Sequence, residues 1–146
     1  MTSRTENQLI DDVTELGYAA MRAPASGARQ NHYAGDVWIA RRIDEFTKLF
    51  VVEEKYKSRD KSYIYEEGDK LDAMIDLSES IGATPLVAVR WSTRMEGSPG
   101  PTHMIADARD VHRTPEGNVG IKPQDTQGDV YLSTIQYFSD ESIVTP

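Results

Sequence analysis

Apolar positions recur along this chain with two different periods, and the switch between them lays out a fold. Over residues 3–17 the spacing Glu6, Leu9, Ile10, Val13, Leu16, Gly17 follows i, i+3, i+4, i+7 and predicts an amphipathic helix. Ser3 with Glu6 three positions later forms a capping-box pattern, and Gly17 suits a helix stop. Residues 18–23 predict a short strand ending at Pro24, and 24–35, rich in Ala, Ser, Gly and Asn, read as a loop. Period-two alternation then predicts strands over 36–41 and 48–57, joined by the polar turn Arg42 to Thr47. In the second strand, alternation puts Val51, Glu53, Lys55 and Lys57 on one face. Phe50, Val52, Glu54 and Tyr56 take the other, where Glu54 is expected to be a plain surface or helix-contact residue.

Helical spacing returns at 66–81, with Leu71, Met74, Ile75, Ser78 and Ile81 as the inward stripe and Gly82 as the stop. Pro85 opens another strand, Leu86 to Trp91, and the Gly/Pro-rich stretch 92–101 is a loop. Short strands are expected around 102–106, 110–113 and 118–122, then a linker at 123–130. Residues 131–138 read as a strand or a docking tail. This order predicts a single-domain α/β fold with a mixed central sheet flanked by helices. The expected boundaries are a domain over 1–122 and a C-terminal extension or docking tail over 123–146.

Composition narrows the setting. A length of 146 residues suits one domain with a sizeable core. Cysteine is absent, which excludes disulfides and thiolate metal sites. No apolar run approaches the ~20 residues of a membrane span, so a cytoplasmic protein with no membrane partner is expected. The net charge of -8 disfavours nucleic acid unless positive charge is gathered locally or salt screens the surface. Arg22, Arg29, Arg41, Arg42, Lys55, Lys57, Arg59 and Lys61 all fall in the first half, which supplies a local patch. Screening in a salt-loving host is the other account.

The chemistry sits at the edges of the central strands. Asp36 opens the run Val37–Ala40, and Glu53 and Lys55 follow the run Leu49–Val52. Two hard carboxylate ligands with a lysine two residues on suit magnesium-dependent cleavage of a phosphodiester. Such a reaction needs a nucleophilic water and neutralised phosphate charge. Lys55 can orient or deprotonate the water and stabilise charge. A cross-strand ion pair on a solvated face accounts for Glu53 and Lys55 equally well, and a turn role accounts for Asp36. Glu6, on an apolar stripe, fits either a capping box or a metal site. Arg22 can clamp a phosphate or pair with Glu6 or Asp36, and Ser26 can reach a scissile phosphate from its loop. The three histidines lack zinc spacing, and no phosphate-cradling glycine motif occurs. Trp38 and Trp91 suit a core or a dimer interface.

These residues fall within an ordered series. It runs through Glu6–Ile10, Gly17–Gly27, Asp36–Ala40, Val52–Lys55, Tyr63-Ile64 and Ile81–Arg90. The series resembles the archaeal Holliday-junction resolvases of the Hjc family, within the PD-(D/E)xK nuclease superfamily, over roughly residues 4–91. The resemblance implies a restriction-endonuclease-like fold and a homodimer that nicks four-way or branched DNA junctions in paired fashion with Mg2+, Mn2+ substituting. It implies Glu6, Asp36, Glu53, Lys55 and Ser26 as catalytic residues, with Asp36, Glu53 and Glu6 as metal ligands. Arg22, Arg29 and Lys57 become the expected DNA contacts. Three positions depart from the family pattern. Asn7 stands where a basic residue is common, Gly35 where proline precedes the aspartate, and Glu54 where the triplet's centre is usually apolar. The alternatives are a related nuclease for other branched or duplex DNA, and a non-catalytic DNA-binding relative.

Overall fold

A computed structural model describes residues 4–23, 35–58, 64–128 and 130–140. The first element is helix α1 (Arg4–Glu15), its Leu9 and Val13 fully buried. Strand β1 (Ala19–Arg22) then pairs antiparallel with β2 (Val37–Ile43), which pairs antiparallel with β3 (Phe46–Lys57). Pairing of β2 with β3 runs to Arg42↔Thr47 and Ile43↔Phe46, so the expected turn over 42–47 shrinks to Asp44 and Glu45. Asp44 takes a positive φ of 54°, a conformation that aspartate tolerates better than most residues.

Strand β4 (Ile64–Glu66) precedes helix α2 (Gly68–Ser80), followed by β5 (Thr84–Trp91), β6 (Met104–Asp107) and β7 (Val119–Ile121). A 3-10 helix occupies Pro123–Gln127 where a linker was expected. Strand β8 (Leu132–Ser133) then leads into helix α3 (Thr134–Phe138), capped by Ser133, whose side chain accepts from the Gln136 amide at 3.3 Å. Residues 110–113 form no strand, only a single bridge from Arg113 to Val119.

Among the described residues the main sheet has six strands in the order β1-β2-β3-β5-β6-β8, and β4 pairs with β7 in a separate small sheet. Only β3 and β5 run parallel, the pairing that a helical crossover makes possible. The mixed sheet and flanking helices agree with the expected class. Both faces are covered. Phe50, Val52, Leu86 and Ala88 pack with α1 and α3, while Val51, Val87, Val89 and Trp91 pack with α2 and the small sheet. Ile81, expected on the inward stripe of α2, is the C-cap and is exposed.

The start of α2 differs from expectation for a local reason. Glu66 is held in β4 by its pairing with Val119, and the Gly68 amide donates to Asn118 Oδ1 at 3.0 Å. The helix therefore begins at 68 and leaves Glu66 on a strand. At the C-terminal end, Tyr137 and Phe138 are buried against Phe50 and Tyr18, and the Tyr18 hydroxyl donates to the Phe138 carbonyl at 2.9 Å.

Candidate active site

The β2–β3 register brings the start of one strand to the acidic end of the other. The Asp36 amide donates to the Val52 carbonyl at 2.7 Å, and the Glu54 amide donates to Asp36 Oδ2 at 2.8 Å. Gly35 makes this approach possible. Its φ is +75°, and a Cβ there would stand 2.9 Å from the Val52 carbonyl oxygen. Proline, fixed near −65°, cannot take that conformation, so this chain enters Asp36 by a route different from a proline-led turn.

Strand β3 then carries Glu53 and Lys55 on the face that packs against α2 and the small sheet. Glu53 is 2 % exposed. Burial, then the neighbouring Asp36 and Glu66 carboxyls, push its pKa up to about 10. Lys55 Nζ lies 2.9 Å from Glu66 Oε2. Burial works against the ammonium, but Glu66, Glu53 and Asp36 outweigh it and raise the Lys55 pKa. Lys55 is therefore a charged donor at neutral pH rather than a free base.

On the opposite face, Glu6 of α1 is engaged by Arg22 of β1, whose Nη2 also donates to Asn7 Oδ1 at 2.6 Å. Burial and the charge of Asp36 raise the Glu6 pKa, against the opposing pull of Arg22. The Glu6–Arg22 pairing considered from sequence is thus present, and Asn7 shares the same guanidinium. Ser3, Ser26 and Arg29 lie outside the described residues. Lys57 is half-buried at the end of β3.

Two acids were misread from sequence. Glu66, taken as the opening of α2, is 7 % exposed and stands beside both Glu53 and Lys55. Glu54 does face away from Glu53, but it is buried and its Oε2 lies 2.8 Å from Nε2 of the fully buried His103. The available signal for Glu66 was its place after Ile64-Tyr65, ahead of a glycine able to start a helix. Nothing local signals the His103 partnership.

Among the described residues no three His, Cys, Asp or Glu side chains form a ready metal-holding group. What the cluster offers is hard oxygen: Asp36 and Glu53 crowded together, with Glu66 adjacent. Carboxyls forced this close require a proton or a cation between them. Magnesium is commonly held by one or two protein carboxylates, with water and substrate phosphate completing its shell. The donor set fits such an ion.

A family model described as archaeal Holliday junction resolvase (Hjc) matches residues 2–139. Comparison with curated protein sequences gives no match. Among solved structures, the Archaeoglobus fulgidus Hjc, described as a Holliday junction resolvase from an archaeal hyperthermophile, superposes with a TM-score of 0.71 at 18% identity. The alignment covers 94% of this chain and 99% of that one. That likeness establishes the restriction-endonuclease-like fold.

Proposed function

The chain belongs to the archaeal Holliday junction resolvase (Hjc) family, and from that premise we propose that Asp36, Glu53 and Lys55 are the centre at which it cuts. The family makes it a junction-resolving nuclease, an enzyme that binds branched DNA and is of the kind that needs divalent metal. The observation that carries the site assignment is Glu53 buried against Asp36 and Glu66, with Lys55 alongside.

Asp36 and Glu53 would hold Mg2+, for which Mn2+ would substitute, with Glu6 of α1, paired here with Arg22, as the further acid near Asp36. When bound there, such an ion would supply neutralisation of phosphate charge and a lowered pKa for water, as hard cations do at phosphoryl centres. Lys55, charged and steered by Glu66, donates to the phosphate oxygens or orients the attacking water. Arg22, Ser26, Arg29 and Lys57 contact the DNA backbone, positioning the strand without reading its sequence.

The enzyme acts as a homodimer whose two sites make paired nicks, since a two-fold axis matches a symmetric junction. Met21 supports this reading. It is 57% exposed on β1, the edge strand of the main sheet, directly opposite the partly buried Trp38, and offers an apolar group there to a second copy. No helix among the described residues is long and apolar enough to cross a membrane.

The deciding assay digests a synthetic four-way junction beside a linear duplex made of the same arms, with Mg2+ or with chelator. Metal-dependent paired nicks in the junction, with the duplex spared, are expected. Equal cutting of both substrates would remove junction selectivity, and cutting in chelator would remove the metal site.

A further inference from the structure

Behind the proposed cutting centre, on the other face of β3, lies a second polar pair that the chemistry just described does not use. Glu54 and His103 have side chains 4% and 0% exposed, with Nε2 and Oε2 2.8 Å apart. Burying two such groups costs free energy unless they satisfy one another, and an apolar pair would stabilise the core at least as well. His103 Nδ1 has no hydrogen-bond partner among the described residues, so the pair is not even fully compensated.

The location explains what the pair does. Glu54 sits between Glu53 and Lys55, and its own amide donates to Asp36 Oδ2 at 2.8 Å. In the sheet it lies opposite Ala88 of β5, whose methyl group leaves room for the carboxylate to extend toward His103. His103 in turn is fixed from behind. Its carbonyl accepts from both the amide and the hydroxyl of Thr134, each at 3.1 Å, at the start of α3. One side chain therefore ties the backbone that orients Asp36 to the C-terminal helix.

We propose that Glu54 and His103 are a positioning couple: their hydrogen bond anchors β3 at Glu54, so that the Glu54 amide holds the Asp36 carboxylate in its metal-binding orientation. This rests on the assignment of Asp36 as a metal ligand. Groups that orient metal ligands without touching the ion set affinity by about 10- to 100-fold in known sites. Neither residue need contact DNA.

The test is calorimetric titration of the full chain with Mn2+ in the absence of DNA, with folding checked by circular dichroism at the same temperature. Glu54→Val should bind Mn2+ at least about tenfold more weakly. Glu54→Gln, which keeps an acceptor for His103, should bind within a few-fold of wild type. If Glu54→Val does not fold, the double variant Glu54→Val/His103→Leu supplies an apolar pair in the same space and should show the same weakening. Wild-type Mn2+ affinity in either folded variant, or a Glu54→Gln loss as large as that of Glu54→Val, overturns the proposal. Asp36→Asn in the same titration separates the two layers of argument. If it leaves Mn2+ binding intact, the metal-site assignment itself is wrong. If it abolishes binding while Glu54→Val/His103→Leu binds normally, only the positioning role fails.

Discussion

Lys55 Nζ and Glu66 Oε2 stand 2.9 Å apart, joining the strand that carries the cluster to the small β4–β7 sheet. The contact gives the lysine one orientation and keeps it charged. Glu66→Gln should leave junction affinity unchanged and slow single-turnover cleavage about tenfold or more, because the lysine loses its steering charge rather than its place in the strand. Cleavage at the wild-type rate would reduce Glu66 to a packing role. Lys55→Ala should be more damaging than Glu66→Gln, since it removes the donor itself.

Asp36→Asn and Glu53→Gln keep side-chain size and remove charge. Both should abolish cleavage in Mg2+ while junction binding, measured by gel shift in Ca2+ or chelator, stays within several-fold of wild type. Loss of a ligand removes the chemistry, whereas affinity comes from contacts to many phosphates. A variant of either kind that still cuts would relocate the metal.

How much of this was legible in the sequence depended on distance along the chain. The alternation of Val51, Glu53 and Lys55 against Phe50, Val52 and Glu54 assigned both faces of β3 correctly, because period two is a local property. Asp36 against β3 was reachable because a hairpin is also local. Glu66 was misassigned because Glu66, Glu67 and Asp69 look like an acidic first helical turn. The strand that claims Glu66 instead lies more than fifty residues later, at Val119. The Glu54 pairing failed in the same way: His103 is 49 positions away, and its approach requires β5 to intervene. At the hairpin, the charged and polar residues among Arg42 to Thr47 read as a turn, yet Arg42, Ile43, Phe46 and Thr47 stay in the ladder and only Asp44 and Glu45 make the turn.

Asp107 and Arg109 give an acid-side prediction. Burial pushes the Asp107 carboxyl up, but the Arg109 guanidinium, bonded at 2.6 and 2.9 Å, and the Arg109 amide pull it below its ordinary value. A depressed carboxylate pKa contributes stability at pH above about 4, lost as pH falls through the folded-state value. Both side chains are partly exposed, so solvent screening limits the contribution to about 1 kcal/mol or less. Arg109→Gln should therefore lower stability slightly at neutral pH. The deficit should vanish in urea titrations carried out below pH ~3. A constant deficit across that range would assign the effect to packing instead.

The C-terminal helix yields the largest expected effect on stability. Phe138 is 2 % exposed, and its ring meets Tyr18, Phe50 and Tyr137 edge-on at centroid distances of 5.1, 5.4 and 5.0 Å. Its carbonyl also accepts the buried Tyr18 hydroxyl. Phe138→Ala removes the ring from the middle of this group and leaves a cavity that the strands cannot close. The expected cost is ~3–5 kcal/mol, readable as a fall of about 10 °C or more in Tm. Tyr18→Phe, which forfeits one buried hydrogen bond but keeps the ring, should cost only about 1 kcal/mol. If Phe138→Ala left Tm unchanged, residues 131–140 would be an appendage rather than part of the core. The anchor proposed for His103 through Thr134 would then lose its rigid support, because a loosely attached α3 cannot hold β3 in register.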